Sequence, residues 1–165
     1  MLYLYFDGLC EPVNPGGIAT YGYVIKDEEA LIREECGVVG AGYRGDDVSN
    51  NVAEYKGLIK GLKWILENGM RGKELKIRGD SQLVVKQLKG EYRVKAPRII
   101  PLYEEAIMLL KEFESYSIEW VPREENEIAD SLTRRALKEF VSSHEDEVSR
   151  AYGSSWAKRV ISDPR

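Results

Sequence analysis

The spacing of apolar and polar residues changes period several times along the chain. Leu2, Leu4 and Phe6 alternate with Tyr3, Tyr5 and Asp7, the two-residue repeat of a strand that ends at Asp7. Ile18–Lys26 and Leu31–Val39 are also strand-like and meet at the turn Asp27-Glu28-Glu29-Ala30, so three strands form an antiparallel meander. A polar, glycine-rich loop is expected from Gly40 to Asn51. From Ala53 the period becomes helical: Tyr55, Leu58, Ile59, Leu62, Ile65 and Leu66 share a face, and Asn68-Gly69 stops it. Leu75, Ile77 and Gly79 then alternate with Lys76, Arg78 and Asp80 as a fourth strand, and Ser81–Leu88 reads as a short helix broken by Gly90. Pro97 and Pro101 bracket the start of a helix over residues 102–114. Ser117–Val121 reads as the fifth strand, stopped by Pro122, and Glu127–Phe140 as the last helix, with Asn126 as its N-cap.

The order βββαβααβα contains strand–helix–strand crossovers, which require parallel neighbours. The expected class is α/β: a five-stranded mixed sheet, three antiparallel strands plus two parallel, flanked by helices. Beyond Val141 the periodicity fades. Residues 1–141 are expected to form the domain, and 142–165 a mobile or loosely docked tail in which Trp156 and Val160 hint at a short helix.

Composition narrows the function classes. At 165 residues, 43% apolar and 32% charged, the chain fits one globular domain. Met1–Phe6 is too short an apolar run for a signal peptide or a membrane span, so a cytoplasmic protein with no membrane partner is expected. Cys10 and Cys36 lack metal-like spacing and read as free thiols. The net charge of −4 gives no global attraction for nucleic acid. Lys86, Lys89, Arg93, Lys95 and Arg98 stand against Glu91, however, five bases to one acid, a local +4. Neither heptads nor a large apolar stripe is evident, so a monomer is expected.

Four acids stand out by position. Asp7 and Asp80 end two strands that would lie side by side, Glu54 opens the first long helix at the border of its apolar stripe, and Asp130 sits one turn into the last helix. Each has a local reading as well: turn chemistry for Asp7, an N-cap for Asp80, a favourable helix start for Glu54, a pairing with Arg134 for Asp130. One metal site would account for all of them. Hard divalent cations take oxygen ligands at about 2.0–2.1 Å, and two such ions activate water and stabilise the leaving oxygen of a phosphodiester.

The segments "FDGLCEPVNPGGIATYGYVI", "SNNVAEYKGLIKGL", "IRGDSQLVVKQL" and "ENEIADSLTRRAL" resemble the signature blocks of type 1 ribonuclease H, in order, and "GEYRVKAPRIIPLY" is similar to its archaeal and reverse-transcriptase-like branch. The resemblance implies a ribonuclease H-like fold. It also implies an endonuclease that cuts the RNA strand of an RNA/DNA hybrid, leaving 5′-phosphate and 3′-hydroxyl ends. Two Mg²⁺ or Mn²⁺ ions would be held by Asp7, Glu54, Asp80 and Asp130. It places substrate contacts at Asn14, Asn51 and Gln82 and at the backbone of Gly8, Leu9 and Cys10, with double-stranded RNA as a second candidate duplex.

Two features depart from the family pattern. The loop "WVPREENE" carries no histidine, leaving Arg123, Glu124 and Glu125 as auxiliary candidates, and the single histidine, His144, lies in the tail. The basic cluster is modest, and no hybrid-binding domain is expected before Met1, so affinity should be weak and salt-sensitive. The rival readings are a DNA nuclease of the same fold, an actin-like nucleotide-binding domain, and a hybrid-binding module without turnover.

Overall fold

The computed structural model describes residues 1–165. A five-stranded sheet runs β3-β2-β1-β4-β5, built from β1 (Leu2–Glu11), β2 (Ile18–Asp27), β3 (Ala30–Ala41), β4 (Leu75–Gly79) and β5 (Tyr116–Trp120). β1, β2 and β3 pair antiparallel, and β4 and β5 add in parallel, which is the expected mixed sheet. Leu2, Leu4 and Phe6 point to one face together with Tyr23 and Ile25, the alternation read from the sequence.

On that face lie α1 (Asn50–Glu67), α2 (Gln82–Leu88) and α3 (Ile100–Leu110), which contribute to a core cluster of 22 buried residues. α4 (Glu127–Ser143) packs on the opposite face, where Val24, Ala129 and Leu132 form a small cluster. No helix is long and apolar enough to cross a membrane.

Several boundaries and one cap differ from the sequence reading. β1 does not end at Asp7 but continues to Glu11, because β2 pairs with it along its whole length; it is β4 that stops, at Gly79 opposite Phe6. α1 begins at Asn50 rather than Ala53, since the Ser49 hydroxyl caps it by accepting from Val52 N at 3.2 Å. The third helix spans Ile100–Leu110 rather than 102–114. Asn126 precedes α4, yet its side chain does not cap the helix; its Nδ2 donates to the Phe6 carbonyl at 2.9 Å, at the end of the β1–β4 ladder.

The largest difference is at the C-terminus. Residues 142–165, expected to be a mobile or loosely docked tail, complete α4 and form α5 (Glu145–Tyr152) and α6 (Ser154–Ser162). Val148 and Ala157 are fully buried with Leu137, Phe140 and Val141 against Leu9 and Ile18. Tyr152 ties these helices to two loops: its hydroxyl donates to Gly16 O at 2.8 Å and accepts from Tyr43 N at 3.2 Å. One buried residue per short helix is a weak periodic signal, so the pattern did not betray the packing.

Candidate active site

The end of β4 positions the site. Where the β1–β4 ladder stops, Asp7 and Asp80 follow the paired residues Phe6 and Gly79, so both carboxylates leave adjacent parallel strands at the same level. Glu54 is brought to them by a close approach of α1. A Cβ on Gly8 would lie 2.3 Å from Glu54 N and 2.5 Å from the Ala53 carbonyl carbon, so only glycine lets the helix settle this near β1. α4 makes the same kind of approach from the other side, where a Cβ on Gly22 would meet Ala129 O at 2.7 Å. Asp130 is the next residue on that helix.

Carboxylate oxygens of Asp7, Glu54 and Asp80 all lie within 4.8 Å of one another. Asp130 lines the same cleft, of about 320 Å³. The local readings of these acids do not hold. Asp7 is buried inside a strand, Ser81 rather than Asp80 caps α2, Glu54 is 4% exposed, and Arg134 pairs with Glu11 at 2.5 Å instead of with Asp130.

Crowding raises the proton affinity of the cluster. Burial, then the charges of Asp80 and Asp130, push the Asp7 carboxyl up to about 8, against the hydrogen bond it accepts from Gly8 N at 2.9 Å. Burial, followed by repulsion from Asp7 and Asp80, also holds Glu54 well above the ordinary carboxylate range. Asp80 is raised by burial, with the Arg123 guanidinium opposing. Glu54 Oε2 is buried and has no hydrogen-bond partner. An orphaned carboxylate oxygen among crowded acids is the donor set a hard cation takes, so these residues fit a divalent metal.

The other expected site residues divide. Gly8, Leu9, Cys10, Asn14 and Arg123 line the acidic cleft; Asn51 and Gln82 do not. Asn50 takes the cleft position instead, joined to Asn14 by two hydrogen bonds of 2.8 and 3.0 Å. The early start of α1 sets which amide faces inward, and the Ser49 cap was the signal for it. Glu124 and Glu125 line a different cleft, with Tyr5 and Val24. His144 stacks on Phe140 at 4.3 Å, outside the acidic cleft. Arg134, read from the sequence only as a partner for Asp130, lines the cleft as well. In the basic cluster Arg98 pairs with Asp47 at 2.9 Å, while Lys86 lies over the Tyr92 ring. Both cysteines are free.

The profile of the family described as reverse transcriptase-like matches residues 6–136. A bifunctional protein of Mycobacterium tuberculosis is 38% identical over 126 residues, which is 75% of this chain and 32% of that protein. A ribonuclease HI of Halobacterium salinarum is 35% identical over 136 residues, 82% of this chain and 64% of that one. The chain thus spans about a third of the mycobacterial relative's length and just under two thirds of the halobacterial one's. The structure of LC11-RNase H1 in complex with RNA/DNA hybrid has a TM-score of 0.76 at 30% identity, covering 86% of this chain and 99% of that one. With the sheet order, the matched segment and the acidic cleft in agreement, the chain belongs to the reverse transcriptase-like family and, within it, to the type 1 ribonuclease H group.

Proposed function

We propose that the chain is a metal-dependent endoribonuclease that hydrolyses the RNA strand of RNA/DNA hybrids, leaving 5′-phosphate and 3′-hydroxyl ends. The observation that carries this reading is the meeting of Asp7, Glu54 and Asp80 within 4.8 Å in a cleft open to solvent. A likeness to a hybrid-bound neighbour supports the choice of substrate.

Asp7, Glu54, Asp80 and Asp130 would hold divalent cations, Mg²⁺ or Mn²⁺, as a pair. When bound, such ions supply an activated water and offset charge on the leaving oxygen. The chain's own residues do the positioning. Asp7 and Glu54, both buried, fix the deep side of the site, and half-buried Asp80 and Asp130 form its outer side. Backbone groups of Gly8, Leu9 and Cys10 present a wall without bulky obstruction to the RNA strand. The Asn14–Asn50 pair joins the loop after β1 to the start of α1 and offers amide donors and acceptors at the rim. Arg123 stands beside Asp80 and is the one loop candidate that faces the cleft, so it is the auxiliary group of choice in place of a histidine.

The test is cleavage of an end-labelled hybrid with Mg²⁺, Mn²⁺ or EDTA, beside double-stranded RNA and a matched DNA duplex. Metal-dependent cutting confined to the RNA strand, and lost in Asp80→Asn, is the expected result. Cutting of the DNA duplex, or hybrid binding without turnover in either metal, would overturn it.

A further inference from the structure

The acidic cleft shares a wall with a second one. Glu11 and Arg134 line both, and the other charged residues of the second cleft, about 260 Å³ in volume, are Lys138 on α4, Arg159 on α6, and Asp163 and Arg165 beyond it. Four cations therefore meet two carboxylates here. Glu11 takes Arg134 Nη1 at 2.5 Å, and Asp163 takes Arg165 Nη2 at 2.9 Å. Lys138 Nζ reaches only the main-chain oxygen of Asp163, at 2.8 Å, and Arg159 forms no ion pair. Arg134 also has a buried Nε without an acceptor, so the protein does not exhaust its donors. Two uncompensated cations and a partly engaged guanidinium thus stand at one end of the acidic cleft.

We propose that this second cleft is a phosphate subsite for the substrate strand: a phosphodiester displaced along the strand from the scissile one is held by Lys138 and Arg159, with Arg134 between the two clefts. The inference rests on the hybrid-cleaving function proposed above. It adds a contact from outside the matched family segment, which ends at residue 136. The chemistry is that of Lys and Arg on backbone phosphate, which fixes the position of a strand without reading its sequence. It also supplies a local attraction that a net charge of −4 does not. The helices after Val141 would then serve the substrate as well as the fold, since α6 carries Arg159.

The experiment is hybrid binding by fluorescence anisotropy in EDTA across a salt series. It compares the wild-type chain, Lys138→Ala/Arg159→Ala, and Arg159→Glu alone. The single variant changes an exposed side chain without an ion pair, and thermal melts verify that both variants fold. The double variant is expected to bind several-fold more weakly at about 0.1 M salt, with a slope of log affinity against log salt shallower by about 1 to 2. In cleavage, the loss should appear in KM, equally for hybrids of unrelated sequence. Affinity and salt slope unchanged in both folded variants, while the wild-type chain binds hybrid, would reduce the cleft to a solvated rim. A folded wild-type chain that neither binds nor cuts hybrid would instead sink the hybrid-cleaving function, and the subsite with it.

Discussion

The two faces of the sheet are built differently, and the acids are divided between them. Under α1, α2 and α3 lies a cluster of 22 buried residues, whereas the side covered by α4, α5 and α6 holds separate clusters of 8 and 3. Glu54 comes from the first side, next to fully buried Tyr55, and Asp130 from the second. Like charges held this close repel, and only packing elsewhere can hold them there. The large core anchors the helix that carries the deepest acid, while the smaller side anchors α4, which carries Asp130.

The largest test of that division is chemical. Asp80→Asn should lower hybrid cleavage by more than about 100-fold in a steady-state assay while leaving the circular dichroism of the fold intact. No substitution confined to α5 or α6 should approach that loss. Gly8→Ala comes next, because its new Cβ would meet the α1 backbone 2.3 Å away. Moving Glu54 aside should cost about 10- to 100-fold in kcat, and the forced fit about 1–3 kcal/mol in urea unfolding.

Core truncations compare the faces directly. Leu58→Ala, in the large cluster, should cost about 2–5 kcal/mol, and Val148→Ala, in the smaller one, about 1–2 kcal/mol, both read by denaturant titration. Equal costs would erase the distinction.

Proton linkage gives a subtler reading of the same strain. The folded Asp7 carboxyl titrates at about 8 against an ordinary 3.8, so the folded protein keeps a proton that the unfolded chain has released. Its contribution is complete below 3.8 and is lost as pH rises to about 8, so the melting temperature in EDTA should fall across that range. Each kcal/mol lost corresponds to about 2–4 °C. Saturating Mg²⁺ should flatten the profile and Asp7→Asn should make it shallower, since Glu54 and Asp80 remain raised by burial; a profile already flat in EDTA would contradict the crowding.

Tyr152→Phe is the smallest effect expected. Loss of the hydroxyl between Gly16 O and Tyr43 N should cost about 1 kcal/mol in a thermal melt.

Much of this molecule is written in local periods. The alternation at Leu2–Phe6 and the helical repeat from Tyr55 to Leu66 are properties of neighbouring residues, so the strands, α1 and the mixed character of the sheet were legible in them, while the strand order β3-β2-β1-β4-β5 was not. Ser49 and Asn126 show where such reading falters. Ser49 caps α1 and moves its start to Asn50, which places Asn50 rather than Asn51 on the cleft. Asn126 looks like a cap but serves a strand carbonyl 120 residues away. Of the C-terminal helices, α6 was hinted at by Trp156 and Val160 and α5 was illegible, because each buries a single residue completely, Ala157 and Val148, and depends on Leu9, Ile18 and Phe140 for the rest of its packing.

By itself the sequence determined the order of strands and helices through α4 and the identity of four acids at the ends and starts of elements. Only the tertiary structure decided that three of those acids converge within 4.8 Å, that burial and the neighbouring acids push the Asp7 carboxyl upward, and that Arg134 turns to Glu11. The physical reason is range. Periodicity and capping act over a few residues, whereas the distance between residues 7, 54 and 80 is set by strand register and helix packing across the whole sheet.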